Sequence, residues 1–428
     1  MKTIKIKLYS FIVYLSTLTK TDLVYLTTGG FWLIVEQIVS SITSFILVII
    51  FARFLDQSTF GNYNYVHSIL GILTIISLPG INSVLSQSIA KGYDSTIFLA
   101  LKTKIKWSLI VSALALMFGF YYFINSNSEL GNTFLFMALF FPIFISAYVY
   151  DAYLKGKALF KTFAVFESAY QLIHVLAIAI TIFFSKNLAV IFFVYFLTIS
   201  VSRLFFLKLT LNLYPSNNKI DSKAINYGKH QSLINALGTL ASYLDKIIVF
   251  YFLGPVNLAI YAFATIPIDK FITISDKISS LALPKFSKTS LGKINEILIN
   301  RIFQLMIFGI SMTLVYYIAA PTLFKVLFPK YLDSIHLSQL YSVCLIFKLP
   351  TLLLASFGQS KITLYPKKYL YYSSIIPQIS FILFLFILGR IYGIYGIIAS
   401  RVIFSLCFLL VGLFNWYVLK NLHPSKTI

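Results

Sequence analysis

The side chains best suited to chemistry in this sequence are charged residues placed inside long apolar stretches. If such a stretch crosses a membrane, a charge at its centre costs roughly 2.5–3.5 kcal/mol even on a lenient insertion scale. These residues must therefore line a watery cavity, pair across helices, or extend to the membrane surface. The acids are Glu36, Asp151, Glu167, Asp245, Asp269 and Asp276. The bases are Arg203, Lys246, Lys270, Lys277, Lys348 and Arg401.

The two halves of the chain differ in the balance of these charges. The first half holds three acids and one base, whereas the second holds three acids and five bases. Extension to the cytoplasmic surface accounts for Asp151, Asp276 and Lys277, which stand near predicted span ends. The bases predicted to bind an anionic headgroup are Arg203, Lys246, Lys270, Lys348 and Arg401. The acids predicted to couple to an ion are Glu36, Glu167, Asp245 and Asp269.

Motifs for other kinds of chemistry are scarce. No G-x-x-x-x-G-K-[ST] phosphate loop occurs, so transport is predicted to be facilitated or ion-driven rather than powered by ATP. His67, His174 and His230 have no metal-ligand spacing. Cys344 and Cys407 lie in apolar segments and are interpreted as small packing residues. We therefore predict no catalytic residue, no metal and no cofactor other than an H+ or Na+ gradient.

Long apolar segments must hold the charged residues in place. The chain is 59% hydrophobic and 11% charged, whereas a soluble chain carries about 25% charged residues. About 20 apolar residues of helix cross a bilayer, and its interior requires backbone groups to bond within the segment. The pattern predicts an all-α membrane protein of about twelve spanning helices. The predicted spans are 31–54, 61–84, 105–124, 132–154, 162–184, 187–211, 231–253, 257–281, 300–320, 334–357, 369–388 and 394–419.

The net charge of +22 is explained by membrane orientation. No basic run is long enough for nucleic acid, and we predict no such partner. The bases fall mainly in alternate gaps, roughly five on the cytoplasmic side for each one outside, which places both termini in the cytoplasm. Lys102, Lys104 and Lys106 belong to the cytoplasmic set. Residues 1–18 resemble a signal peptide but have no cleavage site, so the segment 1–30 is predicted to stay at the cytoplasmic interface.

The two halves of the chain contain matching residues at a fixed sequence offset. Gly30 aligns with Gly228, Phe54-Leu55 with Phe252-Leu253, Tyr63 with Tyr261, and Ser202-Arg203 with Ser400-Arg401. An even number of spans between copies gives parallel repeats. The sequence therefore predicts two pseudo-symmetric six-helix bundles. Their bounds are 31–211 and 231–419, with a cytoplasmic linker at 212–230 and a tail at 420–428.

Several short segments resemble the polysaccharide flippases of the multidrug/oligosaccharidyl-lipid/polysaccharide (MOP) exporter superfamily. Residues 51–63 (FARFLDQSTFGNY) are similar to the A-R-x-L-x-x-x-x-F-G-x-Y signature between helices one and two. Residues 153–156 (YLKG) resemble the motif after helix four. Residues 245–261 resemble the helix-seven pattern, and 328–331 (FPKY) the loop before helix ten. The likeness spans nearly the whole chain.

The resemblance implies two six-helix lobes of the multidrug-exporter (MATE) type around a central cavity. It implies that the chain flips an undecaprenyl-diphosphate-linked O-antigen or capsule repeat unit across the bacterial plasma (inner) membrane by alternating access. The expected partners are that glycolipid, membrane lipids, and a polymerase with its chain-length machinery. The family expectation is a monomer that is not an enzyme.

Two alternatives stay open. A MATE-like drug or cation antiporter of the same superfamily predicts an acid-dominated cavity, against which the net-basic second half argues. A membrane-embedded O-antigen polymerase or ligase needs a substantial external loop for its catalytic residues, and the predicted external loops are short.

Overall fold

A computed structural model of the chain describes residues 23–280, 286, 289–361, 364 and 367–422. The segment 1–22 of the predicted interfacial N-terminus and residues 423–428 of the predicted tail lie outside these residues. The described part is helical and contains no β-strand. Its helices are α1 Leu23–Phe54, α2 Gln57–Ile76, α3 Gly80–Ala90, α4 Thr96–Ile124, α5 Ser128–Ser146, α6 Val149–Gly156, α7 Phe160–Phe184, α8 Leu188–Leu213, α9 Ala224–Ser280, α10 Leu291–Leu327, α11 Ser334–Ser342, α12 Cys344–Ser360 and α13 Lys367–Leu422.

These helices supply the predicted number of membrane spans. Eight described segments are long and apolar enough to cross a bilayer, and two bent pairs, α2 with α3 (51°) and α11 with α12 (41°), bring the number to ten. The 57 residues of α9 would extend about 85 Å at about 1.5 Å per residue, against a hydrocarbon core of about 30 Å. Both long helices break, α9 at Gly254 (φ 84°) and α13 at Gly393 (φ 56°). Counting each as two gives twelve, which confirms the predicted fold class.

The chain forms two compact units by its internal contacts. The first unit contains the described residues up to Phe54 together with Ile72–Ala236. The second contains Leu55–Gly71 together with the described residues from Leu237 onward. This grouping differs from the predicted lobes 31–211 and 231–419 at two segments. Residues 55–71 join the second unit, and the predicted linker 212–230 joins the first together with residues 231–236 of the predicted second lobe.

Residues 55–71 join the second unit because their backbone packs directly on it. A Cβ atom on Gly61 would lie 1.9 Å from the carbonyl oxygen of Pro255, so only glycine fits this contact. Gln57 donates to the carbonyl of Lys330 (2.7 Å), and the Lys330 ammonium donates to the carbonyl of Leu55 (3.1 Å). The glycine of the signature segment is thus required by a helix contact within this unit.

Asp56 fixes the start of α2. Its carboxylate accepts from the backbone N–H of Thr59 at 2.9 Å, an N-cap bond that satisfies an otherwise unpaired helix donor. Burial raises the pKa of the Asp56 carboxyl, but its hydrogen bonds to Thr59 and to nearby backbone N–H groups outweigh that effect and leave the pKa below its ordinary value.

The predicted linker is fastened to the first unit by hydrogen bonds. The side chain of Asn217 accepts from the backbone N–H of Asp94 (3.2 Å) and donates to the carbonyl of Gly92 (2.8 Å). Lys157 forms a salt bridge with Asp94, whose carboxylate also accepts from the backbone N–H of Asn217. Ser88 donates to Asp221 at 2.9 Å. Residues 217–221 are therefore an ordered part of the first unit rather than a flexible linker.

We expect Asn217→Ala to open this linker to proteases, because the substitution removes both the donor and the acceptor that hold the chain beside Gly92. Limited trypsin digestion should cleave the variant at Lys219 or Lys223 faster than the wild type. Asn218→Ala is the matched control, since the described part of the structure shows no side-chain hydrogen bond at that neighbouring residue. Equal cleavage rates in the two variants would contradict this account of the linker.

Each unit has its own apolar core. In the first unit α4 packs against α5, α5 against α8, and α1 against α7. In the second, α10, α12 and α13 form a cluster that includes Leu298, Phe357 and Trp416. The Trp416 indole donates to the side chain of Asn295 at 2.8 Å. These packed helices supply rigid positions for the charged residues.

Candidate functional site

The central feature of the second unit is a buried ion pair between α9 and α13. Asp245 has no solvent exposure (0%). Arg401 donates to Asp245 Oδ2 from Nε at 2.8 Å and also from Nη2. Both residues were predicted from sequence, but as separate groups with different roles. The structure makes them partners.

Two tyrosines extend this pair into a network. Tyr261 donates to Asp245 Oδ2 and lies 3.0 Å from Nε of Arg401. Tyr341 donates to Asp269 Oδ1 at 2.6 Å and lies 3.4 Å from Nη1 of Arg401. We call these five residues the Asp245 network. Sequence reasoning missed the role of both tyrosines, because nothing in their spacing places them beside a charge.

The other predicted bases of the second half gather around the same network. Lys246, Lys270 and Lys348 are half-buried. Asp269 exerts an electrostatic effect on each of these lysines and on Arg401. The Lys348 ammonium lies over the rings of Phe404 (5.4 Å) and Phe408 (5.3 Å). Aromatic faces stabilise a cation that has left bulk water. Four bases thus act electrostatically with three carboxylates, Asp245, Asp269 and Asp276, and the local balance is positive.

The first unit holds a smaller cluster built from α5 to α8. Arg203 donates to the carbonyl of Phe144, and its guanidinium lies 4.3 Å from the ring centre of Tyr148. Tyr150 donates to Glu167 Oε1 at 2.6 Å. The Arg203 guanidinium acts electrostatically on Glu167. This cluster brings together one predicted base and one predicted ion-coupling acid.

The other two predicted intramembrane acids of the first half, Glu36 and Asp151, differ in burial and in their partners. Glu36 is half-buried on α1 and acts electrostatically on Glu167. Asp151 was expected to reach the membrane surface, but it is only 6% exposed. It pairs instead with Lys155, one helical turn away, at 2.6 Å. In the second unit Asp276 is exposed, and the side chain of Lys277 lies outside the described residues.

Lys104 occupies a buried position that its place among the predicted cytoplasmic lysines did not indicate. Its side chain is buried (1% exposed), and its ammonium donates to Asn82 Oδ1 at 2.6 Å. Lys102 and Lys106 on either side are exposed. The signal for burial is helical spacing, since Ala100, Lys104, Ser108, Val111 and Ala115 lie on one buried face of α4. Lys104 adds a positive charge to a half that was predicted to be mainly acidic.

Within the described residues, no three His, Cys, Asp or Glu side chains are grouped as a metal site would require. The arrangement instead offers buried positive charge, paired carboxylates and tyrosine hydroxyls in two separate units. Such groups can bind an anion and exchange a proton.

Comparison with known proteins identifies the family. The family model described as polysaccharide biosynthesis protein matches residues 26–268, more than half of the chain. The chain belongs to this family. A search of curated proteins found no match. The family match ends at Ile268, so it includes Arg203, Asp245 and Lys246 of the predicted site but not Lys348 or Arg401.

Solved structures show that this polysaccharide biosynthesis protein has the MOP transporter fold. A multidrug resistance MATE family transporter in an outward-facing conformation is 14% identical, with 94% of this chain and 97% of that chain covered at a TM-score of 0.60. The lipid II flippase MurJ, in an inward closed conformation, is 13% identical, with 89% and 86% covered at 0.61. A MOP superfamily transporter from Pyrococcus furiosus, described by the reverse polarity of its binding pocket, is 13% identical, with 93% and 95% covered at 0.51.

The Tyr150–Glu167 bond yields a stability prediction for this family member. We expect Tyr150→Phe to destabilise the protein by about 1–3 kcal/mol, because a buried carboxylate loses its hydroxyl donor. Thermal unfolding in detergent measures the effect. Tyr121→Phe is the control, since Tyr121 is exposed on α4. Unchanged stability of Tyr150→Phe would show that the bond contributes nothing.

Proposed function

We propose that this polysaccharide biosynthesis protein is a flippase for a lipid-linked oligosaccharide. The substrate class is an undecaprenyl-diphosphate-linked O-antigen or capsule repeat unit. The protein carries it from the inner to the outer leaflet of the bacterial plasma (inner) membrane by alternating access. Membership of a polysaccharide biosynthesis family and the fold shared with a lipid II flippase support this proposal.

The observation that carries the proposal is the positive cluster of the second unit. A diphosphate faces a prohibitive desolvation cost if it crosses hydrocarbon alone. Lys246, Lys270 and Lys348, with Arg401, place four positive charges around Asp269 at positions within membrane-spanning helices. Lysine binds phosphate as a point charge, and arginine binds it through a planar fork. Arg203 in the first unit is the fifth proposed contact.

The buried acids are proposed to couple transport to an H+ or Na+ gradient. Asp245 and Asp269 take part in the network around Arg401, and Glu167 is bonded to Tyr150. Glu36 lies in the electrostatic field of Glu167. The protein is proposed to act as a monomer, without catalysis, and to pass its substrate to a polymerase and chain-length machinery.

The experiment replaces Lys246 and Lys348 with Gln in a bacterial strain that lacks its own copy of this gene. We expect the wild-type gene to restore surface glycan, and the double variant to leave lipid-linked oligosaccharide in the cytoplasmic leaflet. Lys325→Gln is the control, because Lys325 is exposed near the end of α10. Restored glycan with both lysines replaced would refute the proposed cation site. Dye efflux without glycan export would favour a MATE-like antiporter.

A further inference from the structure

We infer that the ion pair with Asp245 keeps Arg401 from binding substrate. The substrate diphosphate and the Asp245 carboxylate compete for the same edge of the Arg401 guanidinium. Adding a proton to Asp245 then releases Arg401 to the substrate. This inference rests on the proposed function and adds to it the means by which the site is regulated.

The geometry shows that the binding edge of Arg401 is occupied. A guanidinium grips a carboxylate or a phosphate most strongly through two parallel N–H groups. In Arg401 these are Nε and Nη2, and both donate to Asp245 Oδ2. The third nitrogen, Nη1, faces Tyr341 at 3.4 Å, a long and weak contact. A diphosphate that uses the fork must therefore displace Asp245.

The two oxygens of the Asp245 carboxylate differ in their hydrogen bonds, and the oxygen without a partner can accept a proton. Oδ2 accepts from Arg401 and Tyr261, whereas Oδ1 is buried and has no hydrogen-bond partner within the described residues. A proton delivered from water to Oδ1 would remove the negative charge without breaking the bond from Tyr261. The ion pair would then become a weaker hydrogen bond between the Arg401 guanidinium and a neutral carboxyl group.

Once Asp245 has taken up a proton, its surroundings attract the substrate anion. The titratable and charged groups around the network come from five elements. They are His67 on α2, Lys246, Tyr261, Asp269, Lys270 and Asp276 on α9, Tyr341 on α11, Cys344 and Lys348 on α12, and Arg401 on α13. The three lysines remain nearby when Asp245 is neutralised, so the local charge becomes more positive and attracts an anion more strongly.

The consequence is reciprocal coupling between proton and substrate. If a proton on Asp245 tightens diphosphate binding, then bound diphosphate must raise the affinity of Asp245 for a proton by the same factor. Typical coupling between two sites is about 5–150-fold. We therefore expect tighter binding of a lipid diphosphate at low pH, and proton uptake when it binds at high pH.

The test measures binding of geranylgeranyl diphosphate to the purified full-length protein in detergent at low and near-neutral pH. For the wild type we expect affinity to fall about tenfold as pH rises. Asp245→Asn should bind tightly at both values, and Arg401→Gln weakly at both. Asp333→Asn should behave like the wild type, since this exposed acid precedes α11 and lies outside the network.

The outcomes separate the inference from the proposed function. Failure of the wild type to bind the probe at any pH would argue against the proposed function itself. Binding by the wild type with an unaltered pH dependence in Asp245→Asn would overturn the inference alone. If Asp245→Asn does not fold, calorimetry of the wild type in buffers of different ionisation enthalpy decides the matter. Net proton uptake with probe binding is expected, and its absence would overturn the competition.

Discussion

Truncation of Arg401 to Ala is expected to lower the free energy of unfolding by about 3–5 kcal/mol. The reason is that Asp245, at 0% exposure, would keep a negative charge with no positive partner. A buried charge without its partner is far more costly than a buried pair or a buried apolar contact. Unfolding by heat or denaturant in detergent measures the change.

Two further variants serve as controls for Arg401→Ala. Arg390→Ala should change stability little, because Arg390 is exposed. The double variant Asp245→Leu with Arg401→Met should recover much of the lost stability, since apolar residues of similar volume can replace a buried ion pair. The double variant should nevertheless fail to transport. Equal stability of Arg401→Ala and the wild type would show that the pair is not formed in the membrane protein.

Gly61→Ala is expected to be strongly damaging for the addition of a single methyl group. Its Cβ would lie 1.9 Å from the carbonyl oxygen and 2.5 Å from the carbonyl carbon of Pro255. Both are backbone atoms, so no side-chain rotation relieves the overlap, and α2 must shift from α9. Overpacking of this kind typically costs about 1–3 kcal/mol and occasionally more. We expect poor expression or a clear loss of thermal stability.

Gly30→Ala is the matched control for this prediction. Among the residues that the structure describes, nothing lies within 4 Å of a Cβ atom placed on Gly30, and alanine is about 1 kcal/mol better than glycine inside a helix. The control should therefore be neutral or slightly more stable. If Gly61→Ala were equally well tolerated, the close contact between α2 and the Pro255 turn would be contradicted. Expression yield and melting temperature in one detergent report both variants.

The span pattern was predictable because it depends on local rules. The length of each apolar stretch follows from bilayer thickness. The turn between the spans of α9 was predicted at residues 254–257, and that within α13 at 389–393. Gly254 and Gly393, both with positive φ, lie in these predicted turns. Glycine tolerates that backbone conformation without strain, so the turn and its residue type agree.

The pairing of the charges was not predictable, because it depends on tertiary contacts. Asp245 and Arg401 are 156 residues apart, and nothing in either local sequence indicates the other. The prediction therefore assigned one to an ion and the other to an anion. Lys104 shows a second limit. Its neighbours Lys102 and Lys106 indicate a surface segment, whereas its register on α4 places it on the buried face.

Gly61 illustrates how a motif acquires a physical meaning. Its place in the signature segment marked a resemblance but gave no reason for glycine. The contact with Pro255 supplies that reason, and the bonds from Gln57 and Lys330 explain why residues 55–71 group with the second unit. Neither the contact nor the grouping follows from hydropathy, since both depend on how α2 meets α9.

The most direct measurement is flipping of a fluorescent lipid-linked oligosaccharide by the purified protein in proteoliposomes. A membrane-impermeant quencher reports how much labelled headgroup reaches the outer leaflet. We expect protein-dependent flipping that is lost in the Lys246→Gln, Lys348→Gln double variant and kept in Lys325→Gln. No flipping above protein-free vesicles, by a sample that is folded and monodisperse, would contradict it.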